Sequence, residues 1–244
     1  MPKVNICFED LEFDGKASKV KIHQRESIKP KDKFQIDNLK WTDKQKQFIE
    51  LALNKDTQVL LTDGPAGTSK TLLATYCALH LLNQQKVSDI IYMRSAVESS
   101  EARLGFLPGD AEEKLQYYNL PFMDKLDELI SPTSLKNLQK DKRISCHPVN
   151  FARGMSWNAK CIIFDECQNS SLKEIITVLT RMGQFSKIFL LADPTQTDLK
   201  NGNRGGFKKI YDLLNDFKFD HKDVVRSELV KYLSQRFSEM ASIS

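Results

Sequence analysis

Gly64, Pro65, Ala66, Gly67, Thr68, Ser69, Lys70 and Thr71 follow the phosphate-cradling P-loop pattern G-x-x-x-x-G-K-[ST] at every fixed position except Ser69. In such a loop the successive backbone N–H groups and the amino end of the following helix surround phosphate oxygens. Lys70 is placed to reach the β and γ oxygens and the Thr71 hydroxyl to bind Mg²⁺, so ATP and Mg²⁺ are the expected ligands. Ser69 brings a Cβ to a position where glycine gives the backbone most freedom. Because the cradle donors are main-chain groups, binding is expected to survive that change.

Cys161-Ile-Ile-Phe-Asp165-Glu166 is an apolar run closed by two carboxylates. Asp165 is expected to hold the Mg²⁺, mostly through water, and Glu166 to polarise the attacking water as general base. Such a pair can also be no more than a helix N-cap, and the P-loop upstream favours catalysis. Gln168 follows two residues on, and Gln196 ends Ala192-Asp193-Pro194-Thr195-Gln196. An amide at a strand end can touch the γ-phosphate or the lytic water, although Gln196 also suits a turn after Pro194. Gln45 lies upstream, where its amide could read the adenine edge through paired hydrogen bonds, a surface glutamine being the plain alternative.

These groups need a scaffold. Thr57 to Thr62 reads as a short buried strand stopping at Asp63-Gly64, and Lys70 to Gln85 as a helix with Leu72, Leu73, Tyr76, Leu79 and Leu82 inward. A helix capped by Thr42 or Asp43 and ending at Asn54 precedes them. Further strands are expected at Asp89 to Met93, Ile144 to Val149, Lys160 to Phe164, Lys187 to Ala192 and Asp223 to Arg226, with helical patterns between most of them. Alternation of this kind predicts an α/β fold, a mostly parallel sheet covered on both faces, with the site at the carboxyl ends of the strands. Residues 98–143 break the alternation. They read as an inserted subdomain with one helix near Ala111 to Leu115 and a second near Pro121 to Ile130.

Bulk properties agree with a folded enzyme-sized chain: 244 residues, 41% hydrophobic and 28% charged. Residues 1–40 read as a polar, lysine-rich extension, and 41–244 as the main domain. No apolar run approaches the roughly eighteen residues of a membrane span, and the amino terminus is acidic, so neither membrane insertion nor secretion is expected. Five cysteines without a Cys-x-x-Cys pair point to a reducing cytoplasm rather than a disulfide framework. The net charge is only +4, yet residues 15–33 hold seven basic residues against Glu26 and Asp32, a solvated arm or a phosphate contact.

From about Gln45 to Tyr232 the chain closely resembles the PhoH family of P-loop ATPases, akin to the first, RecA-like domain of superfamily 1 helicases. The resemblance rests on the loop at Gly64 to Thr71, Arg94-Ser-Ala-Val-Glu98, Leu104-Gly-Phe-Leu-Pro-Gly-Asp110, Phe164-Asp-Glu-Cys-Gln-Asn169, Leu179-Thr-Arg-Met-Gly183, Asp193-Pro-Thr-Gln-Thr-Asp198 and Asp223-Val-Val-Arg226. Ser69, Ala192 and Gly206 depart from the family pattern. It implies a three-layer P-loop fold, ATP hydrolysis and coupling to RNA or single-stranded DNA. Related helicases use two such domains per chain, and this length accommodates one. A ring-like homo-oligomer, most simply a hexamer, is therefore expected, with an arginine completing the γ-phosphate site across the interface. Arg226 is the first candidate and Arg181 the second. Arg94 falls where those helicases place coupling loops, and the Gly105 to Gly109 loop is either a channel-facing element or a hinge.

Overall fold

The structure, a computed structural model, describes residues 33–95, 111–197, 206–214 and 217–225 together with Tyr232 and Gln235. Helix α1 (Asp43–Leu53) starts at a reciprocal cap: Thr42 Oγ1 accepts from Gln45 N at 3.2 Å and Gln45 Oε1 from Thr42 N at 3.0 Å. Strand β1 (Val59–Asp63) leads into α2 (Lys70–Asn83), and β2 (Asp89–Arg94) follows. Next come α3 (Ala111–Leu129), α4 (Pro132–Lys140), β3 (Ile144–Pro148) and β4 (Lys160–Asp165). Helix α5 (Leu172–Leu179), β5 (Lys187–Ala192), α6 (Gly206–Leu214) and the two-residue β6 (Phe217–Lys218) complete the order.

Among the described residues six strands form one sheet in the order β3-β2-β4-β5-β1-β6, with each of these pairings parallel. Side-chain alternation divides the core in two. Leu60, Ile90, Tyr92, Cys161, Ile163, Phe189 and Leu191 face α1 to α4, whereas Leu61, Ile91, Met93, Ile162, Phe164, Ile188 and Leu190 face α5 and α6. Burial on both faces is why these strands read as unbroken apolar runs. Helix α2 is buried nearly all round, with Leu72, Leu73, Ala74, Cys77, Ala78, Leu79, Leu81 and Leu82 in the core.

Several expectations change. Residues 223–225 are not a strand: the edge partner of β1 is β6, and His221–Asp223 form a 3-10 turn capped by Asp220. The two helices expected around Pro121 are one, with the proline inside α3, and Phe122, Leu126 and Leu129 beyond it enter the same core as α2. Helix α4 is an addition to the expected elements: Ser131 caps it through Ser134 N and Pro132 opens it. Residues 33–40, read as part of the extension, lie against that core: Phe34 exchanges two hydrogen bonds with the Asn83 side chain, and Asp37 N donates to Leu129 O at 2.8 Å. Residues 15–32 of the basic stretch and the Gly105 to Gly109 loop lie outside the described residues.

Candidate functional site

Strand order positions the site. Strand β5 lies between β1, which carries the P-loop, and β4, which carries Asp165, so three strand ends meet at one edge of the sheet. The loop leaves β1 at Gly64, whose N–H donates to Ala192 O at the end of β5. A Cβ on Gly64 would sit 2.6 Å from Phe219 Cβ, which makes glycine necessary there. Thr68 Oγ1 braces the loop on Pro65 O at 2.9 Å, and Ala66 N donates to Asp193 Oδ2 at 2.9 Å.

Ser69 stands at the amino end of α2 with φ 65° and ψ 27°, in the left-handed region where glycine is favoured. The irregular residue has kept the glycine conformation. Helices α1, α4 and α5 each begin with a side chain bonded to a first-turn N–H, but Ser69 makes no such bond. The amino end of α2 thus presents main-chain donors and the positive end of a helix dipole, the arrangement that holds phosphate.

Lys70 Nζ bridges two loop carbonyls, Gly64 O at 2.6 Å and Pro65 O at 3.0 Å. Burial lowers its pKa, against the opposing pull of Asp193, Asp165, Glu166 and Asp63. Thr71 Oγ1 donates to Asp165 Oδ2 at 2.9 Å, and Asp165 Oδ1 accepts from Glu166 N at 3.0 Å. A hydroxyl and a carboxylate converging from two elements form the donor set expected of a P-loop Mg²⁺ site, so these residues fit the ion.

Glu166 also has a left-handed backbone, φ 55°, a sparsely populated conformation for a non-glycine residue and one found disproportionately at functional sites. Its carboxylate accepts from Gln168 Nε2 at 2.6 Å and lies 4.0 Å from Arg94 Nη2. Burial raises its pKa, and the neighbouring Asp165 charge adds to that, while Gln168, Arg94 and Lys70 pull the other way. A carboxylate raised in this manner is suited to taking a proton from water.

Gln168 is buried and its amide is committed: Nε2 donates to Glu166 Oε2 and Gln196 O, and Oε1 accepts from Asp193 N at 3.1 Å. It ties the end of β4 to the end of β5. Gln196 has an exposed side chain, and its N–H closes a turn on Asp193 O, so it is both a turn residue and a group free to face the site. Gln45 is 3% exposed rather than on the surface, with its carbonyl used in the α1 cap.

Two groups were missed. Asp193 holds Ala66 N through one oxygen and the Thr195 N and Oγ1 through the other, a pattern that Asp-Pro-Thr at a strand end could have signalled. Tyr92 donates to Asp165 Oδ2 at 3.0 Å, and nothing in its strand marks it as polar and functional. Arg181 follows α5, and its carbonyl accepts from Trp157 N just before β4, at the sheet end opposite the loop, so it cannot reach this chain's own site. Arg226 lies outside the described residues, while its neighbour Val225 donates to Gly67 O at 3.0 Å.

A parallel sheet whose strand ends bring together a P-loop, an uncapped helix terminus and the Thr71, Asp165 and Glu166 cluster defines a P-loop NTPase domain. The profile of the "PhoH-like protein" family matches residues 39–238, and the chain belongs to that family. A PhoH-like protein of Mycobacterium bovis is 36% identical over 200 residues, covering 80% of this chain and 56% of that protein. One from Bacillus subtilis is 32% identical over 201 residues, covering 80% and 62%. The chain thus spans little more than half the length of such relatives. The large terminase of a thermophilic bacteriophage superposes with a TM-score of 0.47 at 11% identity, over 81% of this chain and 50% of that one.

Proposed function

We propose that this chain hydrolyses ATP with Mg²⁺ and couples turnover to RNA or single-stranded DNA, as a homo-oligomeric ring, most simply a hexamer, in the cytoplasm. The observation that carries the reading is the convergence of Lys70, Thr71, Asp165 and Glu166 at one sheet edge, with Gln196 on the adjoining strand end. The loop N–H groups and Lys70 hold the phosphates, with Gln45 assigned to the adenine edge. Thr71 and Asp165 would hold Mg²⁺, which would supply positive charge against that developing on the transferred phosphate. Glu166 takes the proton of the attacking water, and Gln196 contacts the γ-phosphate or that water. An arginine completes the γ-phosphate site across the interface: Arg226 is the first assignment, supported by the bond from Val225 to the loop, and Arg181 the second.

The domain assignment, a basic extension over 1–40 and the ATPase domain over 41–244 with 98–143 inserted, belongs to the same proposal, with residues 33–40 of the extension and α3 of the insertion packed onto the domain's own core. The four described cysteines are free thiols, which fits a reducing compartment. Among the described residues no helix is long and apolar enough to cross a membrane.

ATPase rate measured against RNA, single-stranded DNA and duplex DNA tests the coupling. Stimulation by a single strand is expected, and one unchanged rate with no binding to any of them overturns it. For the arginine, mixing Arg226→Ala with Glu166→Gln protein is expected to restore activity, and no recovery removes the trans role. A second reading, ATP-dependent assembly with slow hydrolysis and no unwinding, is favoured by Lys70 bonding to its own loop carbonyls. Sedimentation with and without Mg·ATP, alongside a strand-separation assay, distinguishes the two.

A further inference from the structure

We infer that Tyr92 is a positioning residue for the metal-binding carboxylate, its phenolic O–H fixing the plane of Asp165 from a neighbouring strand. The inference rests on the Mg·ATP reading of the site. Two protein donors meet on one oxygen: Thr71 Oγ1 at 2.9 Å and Tyr92 Oη at 3.0 Å both donate to Asp165 Oδ2. The Glu166 N–H takes one side of Oδ1 at 3.0 Å. An ionised carboxylate offers about four lone-pair directions, so three are filled by protein and the remaining one, on Oδ1, is left for a metal-bound water. Rotation of the carboxylate would break at least one of these bonds.

The two donors on Oδ2 are not equivalent. Thr71 opens α2 directly behind the P-loop and moves with whatever the loop does around phosphate. Tyr92 lies on β2, which pairs with β4 in the register Tyr92↔Ile163 and Arg94↔Asp165, so its side chain reaches Asp165 along the same face of the sheet. Tyr92 is 1% exposed, and its ring stacks on Phe122 of α3 with centroids 4.6 Å apart and planes 1° from parallel. Tyr92 therefore anchors Asp165 independently of the nucleotide loop, and α3 anchors Tyr92. Partners that orient a metal ligand typically change metal affinity roughly 10- to 100-fold when removed.

Tyr92→Phe keeps the ring, its burial and its stack while deleting only the O–H. Mn²⁺ titrated by electron paramagnetic resonance in the presence of ADP is expected to bind the variant about tenfold more weakly than wild type. ADP affinity measured in EDTA and the melting temperature should stay near wild type, a separation that a merely structural tyrosine would not give. Phe122→Leu, which retains the hydroxyl but loosens it, is expected to weaken Mn²⁺ binding by a smaller factor and guards against a misfolded Tyr92→Phe protein. Wild-type Mn²⁺ affinity in both variants overturns the role of Tyr92 alone. Wild-type protein that binds neither ADP nor Mn²⁺ overturns the ATPase reading together with it.

Discussion

Thr71 Oγ1 and Asp165 Oδ2 are 2.9 Å apart although they are 94 positions apart in the chain. One side chain opens the helix behind the P-loop and the other ends the strand two places away in the sheet, with β5 between them. Their meeting joins the loop to the acidic end of β4, the pairing on which the proposed hydrolytic site rests. Lys70→Ala and Thr71→Ala should each lower ATPase turnover by about a hundredfold or more, the scale of losing one charge-stabilising donor. Phosphate release from purified protein checks this, and near-normal turnover in Lys70→Ala would refute the site.

Glu166 must be ionised to accept a proton, and its pKa is raised by burial and by Asp165. The acidic limb of the pH–rate profile should therefore lie above the ordinary carboxylate range, with activity rising as pH increases through it. Arg94 is one of the groups that lower this pKa, so Arg94→Ala should move the limb to higher pH. Glu166→Gln should retain ATP without hydrolysing it, as filter binding alongside phosphate release would record.

Ser69 occupies a left-handed conformation that costs a non-glycine residue about 1–2 kcal/mol, close to the entropy a glycine would lose on folding. Ser69→Gly should consequently change stability by no more than about 1 kcal/mol and leave the KM for ATP at or below wild type. Ser69→Val, β-branched at the same φ, should raise that KM. Denaturant unfolding and initial rates measure both.

Gly206 is a packing requirement of a different kind. A Cβ there would come within 2.6 Å of Leu172 N and 2.8 Å of Ser170 O, both backbone atoms that cannot swing aside. Gly206→Ala should destabilise the fold by about 1–3 kcal/mol by pushing α6 off the segment that follows Glu166. A midpoint in urea equal to wild type would contradict that packing.

Burial pushes the Cys146 and Cys161 thiols up to about 12, and it raises Cys77 and Cys167 well above the ordinary value. Unfolded thiols ionise near ~8.5, so above that pH the folded chain holds protons that the unfolded chain has lost, and stability falls as pH rises. Lys187, lowered to about 8 by burial, acts in the opposite sense between ~8 and ~10.4. Lys70, also lowered by burial, acts in the same sense as Lys187, and four thiols outweigh these two lysines. Unfolding free energy should be lower at pH 9.5 than at 7.5, and Cys146→Ala should flatten that slope.

Much of this protein was legible in one dimension because its signals are local. Apolar runs of strand length, the Thr42 cap, the change from strand to helix across Gly64 to Thr71 and the paired acids after Phe164 each depend on neighbouring residues, and each appears within a residue or two of its expected place. The strand expected at Asp223 failed because two valines satisfy a β pattern, whereas the edge of β1 was taken by Phe217 and Lys218. The two helices expected near Ala111 to Leu115 and near Pro121 to Ile130 are one because Phe122, Leu126 and Leu129 pack beyond Pro121 into the main core and carry α3 across the proline.

The sequence by itself determined the chemistry available: a loop able to surround phosphates, a lysine, a hydroxyl and two adjacent carboxylates. Tertiary structure decided how those groups are held. Placing β5 between β1 and β4 spent the Gln168 amide on joining two strand ends and brought Asp193 to the P-loop backbone. Pairing β2 with β4 delivered Tyr92 to Asp165. Such contacts depend on strand order and register, which are set by the whole core, so no local pattern could carry them.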